Sequence, residues 1–398
     1  MWRFLLFLYL VPSSVLALVP RKVQGVEQGG SSSRVTVYFV TDRKATADKP
    51  PLSPYGTERS KDLTYGTAHV SVPPNHTPGV MEEPSRWKLQ FSPDVGKNVV
   101  LLDATAMRST EFFDIVKQQT GLGGTHPALI IIHGFWTRFD EAVRRAAQVK
   151  YDIGFDGPVI AYTWPSYGEA ILYVADENNA EWTVRHLRDF LTDFSREVPG
   201  STEVIAHSMG NRILAHALES VAACPMNPRV HLDQVILAAP DIDRETFGDI
   251  AESITPLAKR ITVYASRHDQ ALAISHDLHH GSRAGEAGPD IVVMDKVDTI
   301  DVGDVDQSFR GHSYVFENAT VLSDIASVLH GNLIGARCGF VARQVRSLQY
   351  WVMEMIGIHA GQPCTGTPFA TSTPAGSSPP VSRTASRSPS SPRSASGN

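Results

Sequence analysis

Val204-Ile205-Ala206-His207-Ser208-Met209-Gly210-Asn211-Arg212 is an apolar run that stops at a serine and continues at once into helix-compatible residues. A strand that turns into a helix across one residue must bend sharply. The bend tolerates only small side chains two positions before and two after, and Ala206 and Gly210 occupy them. The pentapeptide is thus a variant of the Gly-x-Ser-x-Gly nucleophile elbow, which lifts the serine hydroxyl clear of the sheet. It also aims the first amides of the helix, Met209 foremost, at the point where an oxyanion would form. A serine in an ordinary strand-to-helix turn is the competing reading. The apolar strand before Ser208 and the helix after it weigh against that reading.

Outward from this turn the pattern repeats. Ala128-Leu-Ile-Ile-Ile132 is apolar at every position, as expected of a strand covered on both faces of a parallel sheet. Val159–Thr163, Glu203–Ala206, Val235–Ala238 and Ile261–Ala265 read the same way, and Thr299–Val302 is the expected last strand. Val35–Val40, Ala68–Val72 and Val99–Asp103 supply an antiparallel beginning. Between the runs lie helical spacings. Val184, Leu187, Leu191 and Phe194 share one face of a helix expected to start near Asn179, capped by Asn178 with Glu181 and stopped by Pro199-Gly200. Alternating strands and helices predict an α/β fold, with a mostly parallel sheet flanked by helices on both faces.

A serine hydroxyl needs a base, and the base needs an orienting acid. With an elbow of this kind the acid and then the histidine follow the serine along the chain. Asp269 comes after the strand Ile261–Ala265 and is the expected acid. Asp241 and Asp243, after the preceding strand, are the alternatives, and Asp243 also suits a helix N-cap. His312, in Phe309-Arg-Gly-His-Ser-Tyr314 between the last strand and the following helix, is the expected base. His276, His279 and His280 sit in a polar run read as a surface loop without metal-ligand spacing. The loop after the most apolar strand, Ile132-His133-Gly134-Phe135-Trp136, supplies the second oxyanion donor, the amide of Phe135. His133 braces that loop. His133, Gly134, Trp136, Trp164 and His207 are expected to line the substrate pocket.

The 398 residues carry a formal charge of −6 with no clustered basic face, which excludes a nucleic-acid partner. Met1-Trp2-Arg3, an apolar run and Val15-x-Ala17 read as an export signal over residues 1–17, serving as a membrane anchor if uncleaved. A linker over 18–33, a catalytic domain over 34–331, a helical extension over 332–364 and a disordered Ser/Pro/Arg-rich tail over 365–398 complete the expected organisation. Of three cysteines, Cys338 and Cys364 flank one segment and are candidates to pair. Cys224 is expected as a buried free thiol.

These motifs occur in order with Val37-Tyr-Phe-Val-Thr-Asp-Arg43, Tyr55-Gly-x-Glu58-Arg59, Leu63-x-Tyr65-Gly66, Thr163-Trp-Pro-Ser166 and Ala239-Pro-Asp-Ile-Asp243. Together they resemble the bacterial α/β-hydrolase family of unknown function in the esterase/lipase superfamily, over residues 35–331. The resemblance implies the α/β-hydrolase fold and a Ser–Asp–His triad, here Ser208, Asp269 and His312, and names no substrate. Asp42-Arg43 and Glu58-Arg59 are expected to form an internal ion-pair set. The expected activity is cleavage of a small-molecule or lipid ester through an acyl-enzyme on Ser208, without cofactor or metal. An acyltransferase or peptidase with the same triad, or a non-catalytic binding scaffold, are the alternatives.

Overall fold

The strand Ala128–Ile132 alternates its side chains between two cores: Ile130 and Ile132 face one, Leu129 and Ile131 the other. That alternation explains its unbroken apolar composition and places it at the centre of a three-layer α/β/α arrangement. The structure is a computed structural model and describes residues 23–29, 32–48, 53–84, 92–121, 123–224, 230–305, 314–337 and 339–354. The export signal, the tail, His312, Cys338 and Cys364 lie outside the described residues.

In chain order the strands are β1 (Val26–Gln28), β2 (Ser33–Ala45), β3 (Tyr55–Val72), β4 (Val100–Met107), β5 (Ala128–Ile132), β6 (Val159–Thr163) and β7 (Thr202–His207). They continue with β8 (Leu232–Ala238), β9 (Ala258–Ala265), β10 (Val297–Asp301), β11 (Phe340–Val345) and β12 (Leu348–Met353). They form one sheet in the order β11-β12-β10-β9-β8-β7-β5-β6-β2-β3-β4, with β1 beside β2. From β2 through β6, β5, β7, β8, β9 and β10 to β12 the neighbours are parallel. Antiparallel pairing is confined to β1 with β2, β2 with β3, β3 with β4 and β11 with β12.

One face of the sheet is covered by α1 (Ser109–Gln119), α3 (Tyr173–Glu197), α4 (Met209–Ala222) and α5 (Arg244–Ile254), through Phe112, Leu187, Phe190, Leu214 and Phe247. The other is covered by α2 (Phe139–Ile153), α6 (Gln270–His279), α7 (Tyr314–Glu317) and α8 (Ala319–Leu329), through Phe139, Val143, Leu272, Tyr314 and Ile325. Crossing helices on both faces are what parallel neighbours require, because the chain must return to the same end of the sheet.

Four expectations need correction. The segment after residue 331 is not a helical extension: it carries the hairpin β11–β12, and β12 adds to β10 in parallel. Its apolar residues pack on the sheet, and Arg337 anchors the approach through two 2.7 Å bonds to Asp324. The stretch 18–33 is not all linker, since Val26–Gln28 pairs with β2 and the Gly25 carbonyl accepts from the Thr36 amide. Helix α3 begins six residues before Asn179, so Asn178 lies inside it and donates to the Val174 carbonyl instead of capping. Cys224 is exposed, because α4 ends at Ala222 and leaves it beyond the packed face.

Candidate active site

Strand β7 ends at His207 and α4 begins at Met209, so the whole bend falls on Ser208, at φ 51° and ψ −127°. A residue with a Cβ resists a positive φ, and it persists only where neighbours over-determine it. Here the Ser208 amide donates to the Ala238 carbonyl at 2.9 Å. The Asn211 amide and Nδ2 both donate to the Ser208 carbonyl at 3.0 Å, and Nδ2 reaches the Ala238 carbonyl as well. Asn211 is therefore the staple of the bend. It lay inside the quoted motif with no role assigned, because its side chain joins two strand ends that are distant in sequence.

Close packing explains the small residues. A Cβ on Gly210 would lie 2.5 Å from the His133 carbonyl, so only glycine lets α4 approach the end of β5. A Cβ on Gly134 would lie 2.7 Å from the Ser208 Cβ and 3.0 Å from His207 Nδ1. The loop after β5 thus passes directly against the serine. Met209, the first residue of α4, has an amide with no acceptor within its own helix.

His133 supports this loop and is held neutral. Its Nδ1 donates to the Gly134 carbonyl at 2.7 Å, and its Nε2 accepts from the Trp164 amide at 3.1 Å and faces Arg43 Nη2 at 3.4 Å. Burial, then the Arg43 charge, push the imidazole well below its ordinary value. Trp164 stacks on the ring at 5.1 Å and donates from Nε1 to the His133 carbonyl. Trp164 is fully buried, so it is a brace under the loop and not a pocket wall, contrary to expectation. Its indole found a carbonyl partner beneath the loop, which drew it inward.

Two buried charges that the sequence did not single out for this place hold the loops together. Arg43 donates to the carbonyls of Gly56, Ser166 and Thr137. Asp176, at the start of α3, accepts from the Ser166 hydroxyl and the amides of Tyr167 and Trp136. Trp136 has a positive φ of 56°. The expected internal ion-pair set is replaced by separate fixtures. Asp42 holds Thr183 and His186, Arg59 reaches Asn179 and the Trp182 ring, and Glu58 pairs with Lys44 at the surface.

The candidate acids separate by their partners. Asp241 is occupied on both oxygens, by the Tyr173 hydroxyl at 2.6 Å and the Ser275 hydroxyl at 2.7 Å. Asp243 caps α5 through the Thr246 amide, and that bond lowers its pKa. Asp269 is buried and caps α6, its Oδ1 accepting from the Ala271 and Leu272 amides at 3.0 Å. The expected surface loop holding His276 and His279 is this helix; His276 pairs with Glu286 and His279 with Glu177.

A cleft of about 790 Å³ opens beside the loop. His133, Gly134, Trp136 and His207 line it, together with Phe135, Phe316 and the charged Arg144, Arg145 and Glu317. Ser208 and Met209 are themselves fully buried.

The family model described as alpha/beta hydrolase of unknown function (DUF900) matches residues 110–337. Among solved structures, the peroxisomal alpha-beta-hydrolase Lpx1 of Saccharomyces cerevisiae is 11% identical over 76% of this chain and 88% of that one, at a TM-score of 0.29. No curated protein matches the chain. The parallel sheet with helices on both faces and the match across its central strands agree: this chain belongs to the alpha/beta-hydrolase family of unknown function.

Proposed function

We propose that the protein is a serine hydrolase that cleaves a carboxylic ester through an acyl-enzyme on Ser208. The observation that carries this reading is the positive-φ turn at Ser208, pressed against Gly134 and set at the first residue of α4. Strain of that kind at a strand-to-helix junction is a recurrent device for presenting a nucleophile.

In the proposed reaction the Ser208 hydroxyl attacks the ester carbonyl while His312 accepts its proton. The oxyanion is held by the amides of Phe135 and Met209, each worth about 3 kcal/mol in related chemistry. His312 returns the proton to the departing alcohol. Water then repeats the sequence on the acyl-enzyme and releases the acid. Asp269 orients His312 and stabilises its charged form. We choose it over Asp241 and Asp243 for its place after β9 at the head of α6, whereas Asp241 is held by two hydroxyls and Asp243 caps α5.

The complete burial of Ser208 favours one competing reading, a binding scaffold without catalysis. A fluorophosphonate probe decides between them. Labelling of the wild type at residue 208, absent in Ser208→Ala, with matching turnover of nitrophenyl esters, is the expected result. An unlabelled wild type that turns over no ester would leave the scaffold.

A further inference from the structure

One wall of the cleft comes from the segment 73–84 between β3 and β4, which contributes Gly79, Val80, Met81 and Glu83 beside Gly134 and Phe135. No helix or strand falls within this segment, so side chains do much of the holding. His76 is at the centre of them. Its Nδ1 lies 2.7 Å from Glu82 Oε2, and its Nε2 lies 2.6 Å from Asp152 Oδ1 on α2. The His76 side chain is 2% exposed and that of Asp152 1%. The other oxygens of the two acids hold the segment's backbone. Glu82 accepts from the Thr77 amide at 3.0 Å, and Asp152 from the Gly79 amide at 2.8 Å. Gln148 donates both to Asp152 and to the Phe316 carbonyl of α7. Gly79, at φ 87°, packs so closely on α7 that a Cβ there would lie 2.6 Å from the Glu317 carbonyl oxygen. The Phe316 ring in turn lies 5.4 Å from the ring of His207, the residue before Ser208.

Two carboxylates on one imidazole fix its charge. Ionised carboxylates accept and cannot donate, so both ring nitrogens must carry hydrogen. The two short distances are those of charge-assisted bonds. Burial opposes the cation, but the bonds to Asp152 and Glu82 and their charges outweigh it and hold the imidazole above its ordinary value. The titratable groups that face the ring are Glu82 from its own segment and, from α2, Asp152 and the edge-on Tyr151 ring at 5.6 Å. Neighbouring charges pair elsewhere, Glu83 with Arg144 and Glu317 with Arg145. We propose that His76 is a positioning residue for the substrate: as an imidazolium it clamps the segment 73–84 to α2 and fixes that wall of the cleft, and loss of its second proton as pH rises releases the wall. The proton decides because a neutral ring can donate to only one of the acids and turns a lone pair toward the other. The effect on turnover rests on the ester-cleaving reading; the clamp itself does not.

The test has two arms and uses the full chain. In the first, amide hydrogen exchange over residues 73–84 is followed by mass spectrometry from about pH 6 to about pH 9, relative to unprotected rates. The wild type is expected to lose about tenfold in protection there as pH rises, Asp152→Asn to lose it at a lower pH, and His76→Gln to lack it throughout. In the second arm, KM and kcat for nitrophenyl butyrate are compared between wild type and His76→Gln. Below the pH of release the variant's KM is expected about tenfold higher with kcat little changed, and above that pH the ratio should fall to about one. Wild-type protection that does not change with pH overturns the proposal. So does a KM ratio that stays constant across pH, because His76 would then be a prop whose proton does nothing to the cleft. Thermal melting verifies that each protein is folded. If His76→Gln does not fold, Glu82→Gln and Asp152→Asn give the same judgement: their KM should depart from wild type only between their own release and the wild type's. Absence of all turnover and of fluorophosphonate labelling sinks the hydrolase, and the exchange arm still judges the clamp.

Discussion

Replacing Gly134 by alanine adds one carbon at the tightest point of the site. That carbon would stand 2.7 Å from the Ser208 Cβ and 3.0 Å from His207 Nδ1. Carbon atoms rest at about 3.5 Å or more, so one side must yield by about 0.8 Å. Ser208 is pinned by the Ala238 carbonyl and by both nitrogen donors of Asn211, so the yielding side is the loop of Gly134 and Phe135. A displacement near 1 Å in a positioned group costs about 10²-fold in rate, and loss of one oxyanion donor costs about 10²–10³-fold. Gly134→Ala is therefore expected to lower kcat by about 10²–10³, with KM little changed. Overpacking of this size costs about 1–3 kcal/mol of stability, which urea unfolding would detect. Burst and steady-state kinetics on a nitrophenyl ester, beside Ser208→Ala, measure the effect. A variant of normal stability with kcat within fivefold of wild type would refute the assignment of Phe135 as a donor.

The remaining expectations concern the acid, the braces and one buried carboxyl. Asp269→Asn should reduce kcat by about 10⁴, as loss of an orienting acid does elsewhere, while Asp241→Asn should act mainly on stability; steady-state kinetics and melting curves together separate the two. Trp164→Phe removes the indole bond to the His133 carbonyl and should cost about 1 kcal/mol by chemical unfolding. Arg337→Met strips the buried Asp324 of its guanidinium partner and should cost about 3–5 kcal/mol in the same assay. Glu203 is buried, and burial followed by repulsion from Asp233 lifts its pKa from an ordinary 4.5 to about 8. The folded state then holds a proton that the unfolded state has lost, so stability falls as pH rises through that window, by about 4–5 kcal/mol at most. Glu203→Gln should flatten the dependence, leaving the variant the more stable near pH 8 and equal to wild type at pH 4.

How much of this was legible follows from where the information sits. Buried parallel strands advertise themselves, because both faces of Ala128–Ile132 meet core. The elbow was legible because its steric demand falls on neighbours in sequence, Ala206 and Gly210. The terminal hairpin was not. Phe340, Val341, Val345, Leu348, Trp351 and Val352 suit a helical spacing as well as a strand one, and short apolar runs do not distinguish them. The turn between β11 and β12 is Arg346-Ser347, with Arg346 at φ 55°. Two-residue hairpin turns normally announce a positive φ with glycine or asparagine, and here neither is present. Asp176 and Arg43 were missed in their loop-holding roles for another reason. Each gathers groups from several loops, and only the folded chain shows which loops meet.

That hairpin also governs the sheet's boundary. A strand with bare amides and carbonyls along one side is a template on which foreign strands can grow. β10 would be such a strand without β12, with the buried Ile300 next to its last residue. The hairpin carries the open side out to β11, whose exposed Arg343 and Gln344 make poor company for an incoming chain. Protection against end-on polymerisation is thereby entrusted to the last part of the domain to leave the ribosome, and a chain cut just before residue 338 would be expected to fold its core yet recruit its own copies into fibres.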